Sequence, residues 1–255
     1  MTSKIQNIRC EIGLENVPDS AIDLVVTSPP YGGLRKYNGF EWDFEQVADL
    51  LFLKVKQGGV VCWNTDDQII NGKSLLLPER QLLYFCDNGF RLWDTIFWQK
   101  HGVPCPTPKR YYKTVERVFV LSKGEPNTFN PICDRLNISE GRKEITYKRQ
   151  SRTHRERSNK PTYITDLYGR RTNVWTYVPL TNPTNHPAVM PELLAGDLIK
   201  SYSNEGDLIC DPFMGSGTTA VAAEKLNRKW FGFEVSKEYH TTANNRLNQV
   251  SSLVF

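Results

Sequence analysis

The residues with most capacity for chemistry fall in two short stretches far apart in the chain. The first is Thr27-Ser28-Pro29-Pro30-Tyr31. Two consecutive prolines fix φ at both positions and remove both N–H donors, leaving a stiff loop whose carbonyls can accept hydrogen bonds beside a hydroxyl and an aromatic ring. Stiffness of that kind preorganises a site. Taken alone, the stretch is also compatible with a strand stopped by proline. The second is Asp211-Pro212-Phe213-Met214-Gly215-Ser216-Gly217-Thr218-Thr219, followed by the helix-like Ala220 to Leu226. Glycines lack Cβ, so a ligand can lie against the backbone. A helix opening near Thr218 offers free N–H groups and a positive dipole end to an anion such as a carboxylate. By itself this stretch, too, is compatible with an ordinary strand-to-helix turn.

The glycine loop lacks the Gly-x-x-x-x-Gly-Lys-Ser/Thr pattern of phosphate-binding NTPases and the third glycine of dinucleotide enzymes, so a pyrophosphate is not its obvious ligand. Downstream, Trp230-Phe231-Gly232-Phe233-Glu234 reads as a strand ending in an acid. Nucleoside-binding α/β units place an acceptor for ribose hydroxyls about 20 residues after the loop. A nucleoside carrying an amino-acid tail uses both features, and S-adenosylmethionine fits that description.

The elements that must position these residues alternate. A strand from Ile5 to Cys10 precedes the β-branched run Ala21 to Val26, which ends at Thr27. A helix from Phe44 to Lys56 then turns at Gly58-Gly59 into the strand Val60 to Trp63. A helix from Leu76 to Cys86, a turn at Asn88-Gly89 and strands Phe90 to Gln99 and Arg117 to Leu121 follow, the last two paired antiparallel. Near the end come a helix through Leu193 to Ile199, the glycine-loop unit and a helix through Tyr239, Ala243 and Leu247. Alternation of this kind implies a doubly wound α/β sheet, whose ligands bind beyond the carboxyl ends of the strands.

The chain has 255 residues, 39% hydrophobic and 24% charged, enough for one large domain with an insertion. No run approaches the roughly 20 apolar residues needed to span a bilayer, and the first residues lack a secretion signal, which predicts a cytoplasmic protein. The six cysteines, at 10, 62, 86, 105, 133 and 210, form no Cys-x-x-Cys pair, so neither a disulfide framework nor a metal site is indicated. A net charge of +4 says little about partners, but its distribution says more. From about Gly124 to Thr172 apolar periodicity fades, and residues 140–171 hold ten Lys or Arg against four acids, a net +6. Among them are Arg142, Lys143, Lys148, Arg149, Arg152, Arg155 and Arg157, interleaved with Tyr147, His154, Tyr163 and Tyr168. That mixture suits phosphate and groove contacts, or a solvated insertion.

With these motifs in this order, the chain resembles a β-class amino-methyltransferase of DNA, the group that methylates exocyclic amines. Thr27 to Tyr31 is similar to that family's catalytic motif, Asp211 to Thr219 to its cofactor loop and Phe231 to Glu234 to its ribose-binding strand. The segment from His186 to Ile199 also falls in the family's place. The resemblance implies a doubly wound, mostly parallel, Rossmann-like methyltransferase sheet with a reversed edge strand. Residues 1–123 would form the catalytic half, 124–172 a small basic target-recognition insertion and 173–255 the cofactor-binding half.

It further implies S-adenosyl-L-methionine as cofactor, held by Thr27, His186, Pro187, Asp211, Pro212, Phe213, Gly215, Ser216, Gly217, Thr218, Thr219 and Glu234. The family usually has Gly-Asp near the end of the first strand, with the acid near the adenine. Here Arg9-Cys10-Glu11 stands there, and Glu11 is the candidate. Catalysis is implied to rest on Ser28, Pro29, Pro30 and Tyr31, with the Ser28 hydroxyl and Pro29 carbonyl accepting hydrogen bonds from the target amine and Tyr31 stacking on a base flipped from duplex DNA. Ser-Pro-Pro-Tyr is commoner among enzymes acting on cytosine N4 and Asp-Pro-Pro-Tyr among those acting on adenine N6, which favours cytosine and keeps adenine as the alternative. A noncatalytic nucleic-acid-binding module, or a methyltransferase of RNA or protein amides, are the rival readings. Implied partners are double-stranded DNA, a cognate restriction endonuclease where the enzyme works in a restriction-modification pair, and a second copy in a homodimer.

Overall fold

The computed structural model of the protein describes residues 3–30, 42–101, 109–138, 143–144, 147–149, 155–157, 163–164, 166–178 and 190–251. The chain divides into two compact units, residues 1–130 with 173–255, and residues 131–172.

The first unit is built on eight strands: β1 (Lys4–Gln6), β2 (Ile22–Thr27), β3 (Val55–Thr65), β4 (Arg91–Lys100), β5 (Val115–Ser122), β6 (Val174–Tyr177), β7 (Leu208–Asp211) and β8 (Lys229–Phe233). Their order in the sheet is β1-β8-β7-β2-β3-β5-β4-β6, and β5 alone runs against the rest. The central strands read as apolar runs because both faces of the sheet are covered. On one face α1 (Cys10–Glu15), α2 (Phe44–Lys54) and α3 (Leu77–Asp87) pack over Val25, Val61, Trp63, Phe119 and Leu121. Against the other lie α4 (Glu192–Tyr202) and α5 (Thr218–Lys225), with α6 (Lys237–Ser251) alongside α5. The sheet is therefore doubly wound, as expected. Among the described residues no helix is long and apolar enough to cross a membrane.

Three expectations need correction. The reversed strand is not at an edge: β5 lies between β3 and β4, and β6 forms the border. Its residues Val118 to Ser122 are fully buried and require a hydrogen-bonding neighbour on either side. The expected strand from Ile5 to Cys10 is only three residues long, because Cys10 already opens α1 and places Glu11 in its first turn, where a negative charge suits the helix dipole. Residues 124–130, grouped with the insertion on composition, are tied to the first unit. Asn127 N–H donates to Gly58 O at 2.9 Å, and the Asn130 amide reaches Lys200 O and Ser203 O at the end of α4.

Residues 131–172, read as lacking periodicity, contain short antiparallel pairs: Arg135–Leu136 with Tyr168–Gly169, Lys143–Glu144 with Tyr163–Ile164, and Tyr147–Arg149 with Arg155–Arg157. In the last pair Lys148 faces Glu156 in register and Arg149 faces Arg155. Arg171 is spent inside this unit, forking onto Asp134, whose carboxyl it holds below the usual range. Arg142 and Arg152 lie outside the described residues.

Candidate active site

In the order of the strands, succession runs one way from β7 through β8 to β1 and the other way from β2 to β3. Adjacent strands β7 and β2 thus form the switch point where α/β sheets open a crevice. Asp211 ends β7 and Thr27 ends β2. The Thr27 hydroxyl donates to Asp211 Oδ1 at 2.7 Å, and Phe213 N–H donates to the same oxygen at 3.0 Å. Thr219 Oγ1 donates back to Val26 O at 3.2 Å. Burial pushes the Asp211 carboxyl up to about 6, against the hydrogen bonds from Thr27 and Phe213 that favour its charged form.

The glycine loop is held by α6 and by the end of β8. Gly217 precedes α5 with φ of 84°, a conformation that suits a residue without Cβ, and a Cβ there would lie 2.9 Å from that of Ala243. Met214 N–H donates to Phe233 O at 2.9 Å, while Arg246 donates to Ser216 O at 2.7 Å. The Glu234 carboxylate receives Gly215 N–H at 2.7 Å on one oxygen and Ser236 N–H at 2.8 Å on the other. Burial raises the Glu234 carboxyl, and these two N–H groups oppose it.

Around this loop lies a cleft open to solvent. It is lined by Glu11, Ser28 and Pro30, by Asp211 to Ser216, by Thr218 and Thr219, and by Glu234. Among the acids that line it, Glu11 differs from Asp211 and Glu234. Burial would raise the Glu11 carboxyl, but the Arg9 guanidinium at 2.8 Å and the backbone N–H groups of Glu11 and Asp43 hold it below the usual carboxylate range. Thr27, Pro29 and Gly217 do not line the cleft, and all three are buried. Tyr31, His186 and Pro187 lie outside the described residues. Lys143, Lys148, Arg149, Arg155 and Arg157 belong to the other unit.

Several lining residues were missed in the sequence, among them Ile8, Trp42, Met190, Val235 and Tyr239. Trp42 meets Phe213 edge to face, with ring centroids 4.6 Å apart. No pattern marks it, since it stands alone before the N-cap Asp43. Also missed was a buried polar chain behind Ser28. The Asn64 amide donates to Ser28 Oγ at 3.3 Å and to Glu116 Oε2 at 3.1 Å, and Lys100 pairs with the other Glu116 oxygen. Burial pushes the thiols of Cys10, Cys62 and Cys210 far up, so none is a ready nucleophile. Among the described residues no group of three or more His, Cys, Asp or Glu could hold a metal ion.

The family model described as DNA methylase matches residues 22–245 of this chain. The orphan methyltransferase M.BamHII of Bacillus amyloliquefaciens is 43% identical over 243 residues, covering 91% of either chain. Among solved structures, the PvuII DNA methyltransferase, cytosine-N4-specific, matches with a TM-score of 0.70 at 21% identity, over 99% of this chain and 91% of that one. The M1.HpyAVI-SAM complex matches with a TM-score of 0.63 at 22% identity, over 95% and 98%. At those identities the two structures bear on the fold, while the family model and the closer relative bear on descent. The chain belongs to the DNA methylase family, the N6 and N4 amino-methyltransferases.

Proposed function

We propose that this protein transfers a methyl group from S-adenosylmethionine to the exocyclic amine of a base flipped out of duplex DNA, at a specific sequence, with cytosine N4 as the target. The observation that carries this reading is the meeting of two motifs at one cleft. Ser28 and Pro30 line it from the end of β2, and the glycine loop and Glu234 line it from the ends of β7 and β8.

The residues present suit the cofactor. Each oxygen of the buried Glu234 carboxylate already takes one backbone N–H and keeps capacity for a ribose hydroxyl. The backbone from Gly215 to Thr218, with the start of α5, suits the carboxylate of the amino-acid tail. Glu11 and the Trp42 and Phe213 rings suit the adenine end, with His186 and Pro187 assigned by motif. When bound, S-adenosylmethionine supplies a methyl group made electrophilic by its sulfonium. The protein's own contribution is orientation. An exocyclic amine is a poor nucleophile because its lone pair is delocalised into the ring, and acceptors on its N–H bonds favour the pyramidal, reactive nitrogen. The Ser28 hydroxyl, which lines the cleft, and the Pro29 carbonyl, assigned by motif, serve as those acceptors, and Tyr31, likewise assigned by motif, stacks on the base. Such preorganised positioning supplies most of the rate. Residues 131–172, with Arg142, Lys143, Lys148, Arg149, Arg152, Arg155 and Arg157, hold the phosphates and read the site.

The choice of base rests on serine, rather than aspartate, ahead of Pro-Pro-Tyr. Adenine N6 is the alternative, since the family includes enzymes of both kinds. A test is incubation of the protein with S-adenosylmethionine and unmethylated genomic DNA, followed by mass spectrometry of the released nucleosides. N4-methyldeoxycytidine is the expected product. N6-methyldeoxyadenosine would transfer the assignment to adenine, and transfer only to RNA or protein offered in parallel would overturn the DNA reading.

A further inference from the structure

We infer that Asn64 is a positioning residue for Ser28, locked in place by the ion pair of Glu116 with Lys100. The inference rests on the reading of Ser28 as an acceptor for the target amine. It stands on a chain of contacts from the end of β2 across β3 and β5 to β4, at the strand ends where the cleft opens.

Thr27 of β2 is in register with Trp63 of β3, which puts Ser28 beside Asn64. Asn64 is 1% exposed, and Glu116, near the start of β5, is 4% exposed. The Asn64 Nδ2 donates both to Ser28 Oγ and to Glu116 Oε2. A carboxylate only accepts, so the nitrogen of the amide, not its oxygen, must face Glu116. The same nitrogen is therefore the one presented to Ser28. The charge on Glu116 is in turn held by Lys100, whose ammonium lies 5.0 Å from the centre of the Trp98 ring.

Burying a carboxylate and an amide here is expensive compared with apolar side chains of the same volume. The neighbours Cys62, Val118 and Val120 show what the sheet uses where only packing matters. The polar chain instead reaches the serine that lines the cleft. A donor fixed by a buried charge settles where Ser28 Oγ lies and how it can receive an amine N–H. Asn64 thus acts through Ser28 and touches no reacting atom.

The test is a double-mutant cycle with Ser28→Ala and Asn64→Ala. Transfer of labelled methyl groups to unmethylated genomic DNA is followed at saturating DNA and S-adenosylmethionine, with cofactor affinity measured separately. Asn64→Ala should lower kcat about tenfold and leave cofactor Kd within about twofold, and in the Ser28→Ala background it should change kcat by less than about twofold. A full tenfold loss in that background, or no loss in the native background, overturns the inference while leaving the Ser28 reading intact. An unchanged kcat in Ser28→Ala itself overturns both. Should Asn64→Ala fail to fold, Glu116→Gln keeps the packing and releases the amide from the charge. Its expected several-fold loss in kcat must likewise vanish without Ser28, and an independent loss overturns the inference.

Discussion

Thr27 Oγ1 donates a 2.7 Å hydrogen bond to Asp211 Oδ1, joining residues 184 positions apart at the ends of two adjacent strands. This contact ties the proline loop to the glycine loop, so the halves of the site are set by one buried carboxylate. Phe213 N–H, on the same oxygen, adds the first turn of the glycine loop. Neither motif needs to be long, because the sheet supplies the distance between them.

That carboxylate should make stability depend on pH in a defined direction. Its folded value of about 6 lies above the 3.8 of an ordinary aspartate. Its contribution is then fully present below 3.8 and is lost as pH rises through 6, a difference of about 3 kcal/mol at neutral pH. Asp211→Asn keeps an oxygen for Thr27 and Phe213 but removes the buried charge. Urea denaturation should show the variant gaining roughly 1–3 kcal/mol over the native protein at pH 7 and nothing at pH 4. Methyl transfer should fall, the usual trade between stability and a strained site. Equal loss at both pH values would mean that the charge is not penalised.

Glu234 has two duties that Ala and Gln separate. Its oxygens hold the N–H groups of Gly215 and Ser236, and it lines the cleft. Glu234→Ala strands both donors and should cost about 1–3 kcal/mol in stability, together with cofactor affinity. Glu234→Gln can still accept one N–H, so it should lose less stability but at least about tenfold in affinity for S-adenosylmethionine, with kcat at saturation changed less than KM. Calorimetric titration and thermal denaturation of both variants check this. Unchanged affinity in Glu234→Gln would remove the ribose assignment.

Gly232 does not line the cleft, yet it should be among the least replaceable residues of the sheet. A Cβ there would stand 2.2 Å from Met214 Cε and 2.4 Å from Asp211 O. Met214 could shift at its flexible end, but the carbonyl belongs to the strand that carries the buried carboxylate. Gly232→Ala is expected to destabilise the protein by about 3 kcal/mol or more, and to weaken cofactor binding by displacing the glycine loop. A near-native melting temperature would show that β7 and β8 can part at little cost.

The features legible in the sequence were those whose cause is local. Glycine and proline at fixed offsets marked both loops, the β-branched run of β2 marked a buried strand, and Arg117 to Leu121 marked β5 as a strand antiparallel to β4. What escaped was set by partners distant in the chain. Cys10 and Glu11 read as a strand end because nothing adjacent shows that Glu11 would be buried against Arg9 and the Asp43 N–H. The interior place of β5 depends on β4 lying outside it, and β4 is in turn covered by β6, which arrives only after residues 131–172. Asn64 and Glu116, 52 residues apart, look like ordinary polar residues until the register of β3 and β5 brings them together.

The basic segment offers a prediction that depends on charge count and not on side-chain geometry. Arg149 and Arg155 pair in register on neighbouring strands. If both contact phosphates, the double substitution Arg149→Ala with Arg155→Ala should reduce the slope of log affinity for duplex DNA against log salt by about 2, since each lost contact removes roughly 0.9. Affinity for S-adenosylmethionine should stay within about twofold, because the residues lining the cleft all belong to the other unit. Fluorescence anisotropy with a labelled duplex, repeated at several salt concentrations, reads the slope directly. An unchanged slope with weakened binding would place the two arginines on base edges or in folding. An unchanged slope with unchanged binding would remove this strand pair from the DNA interface.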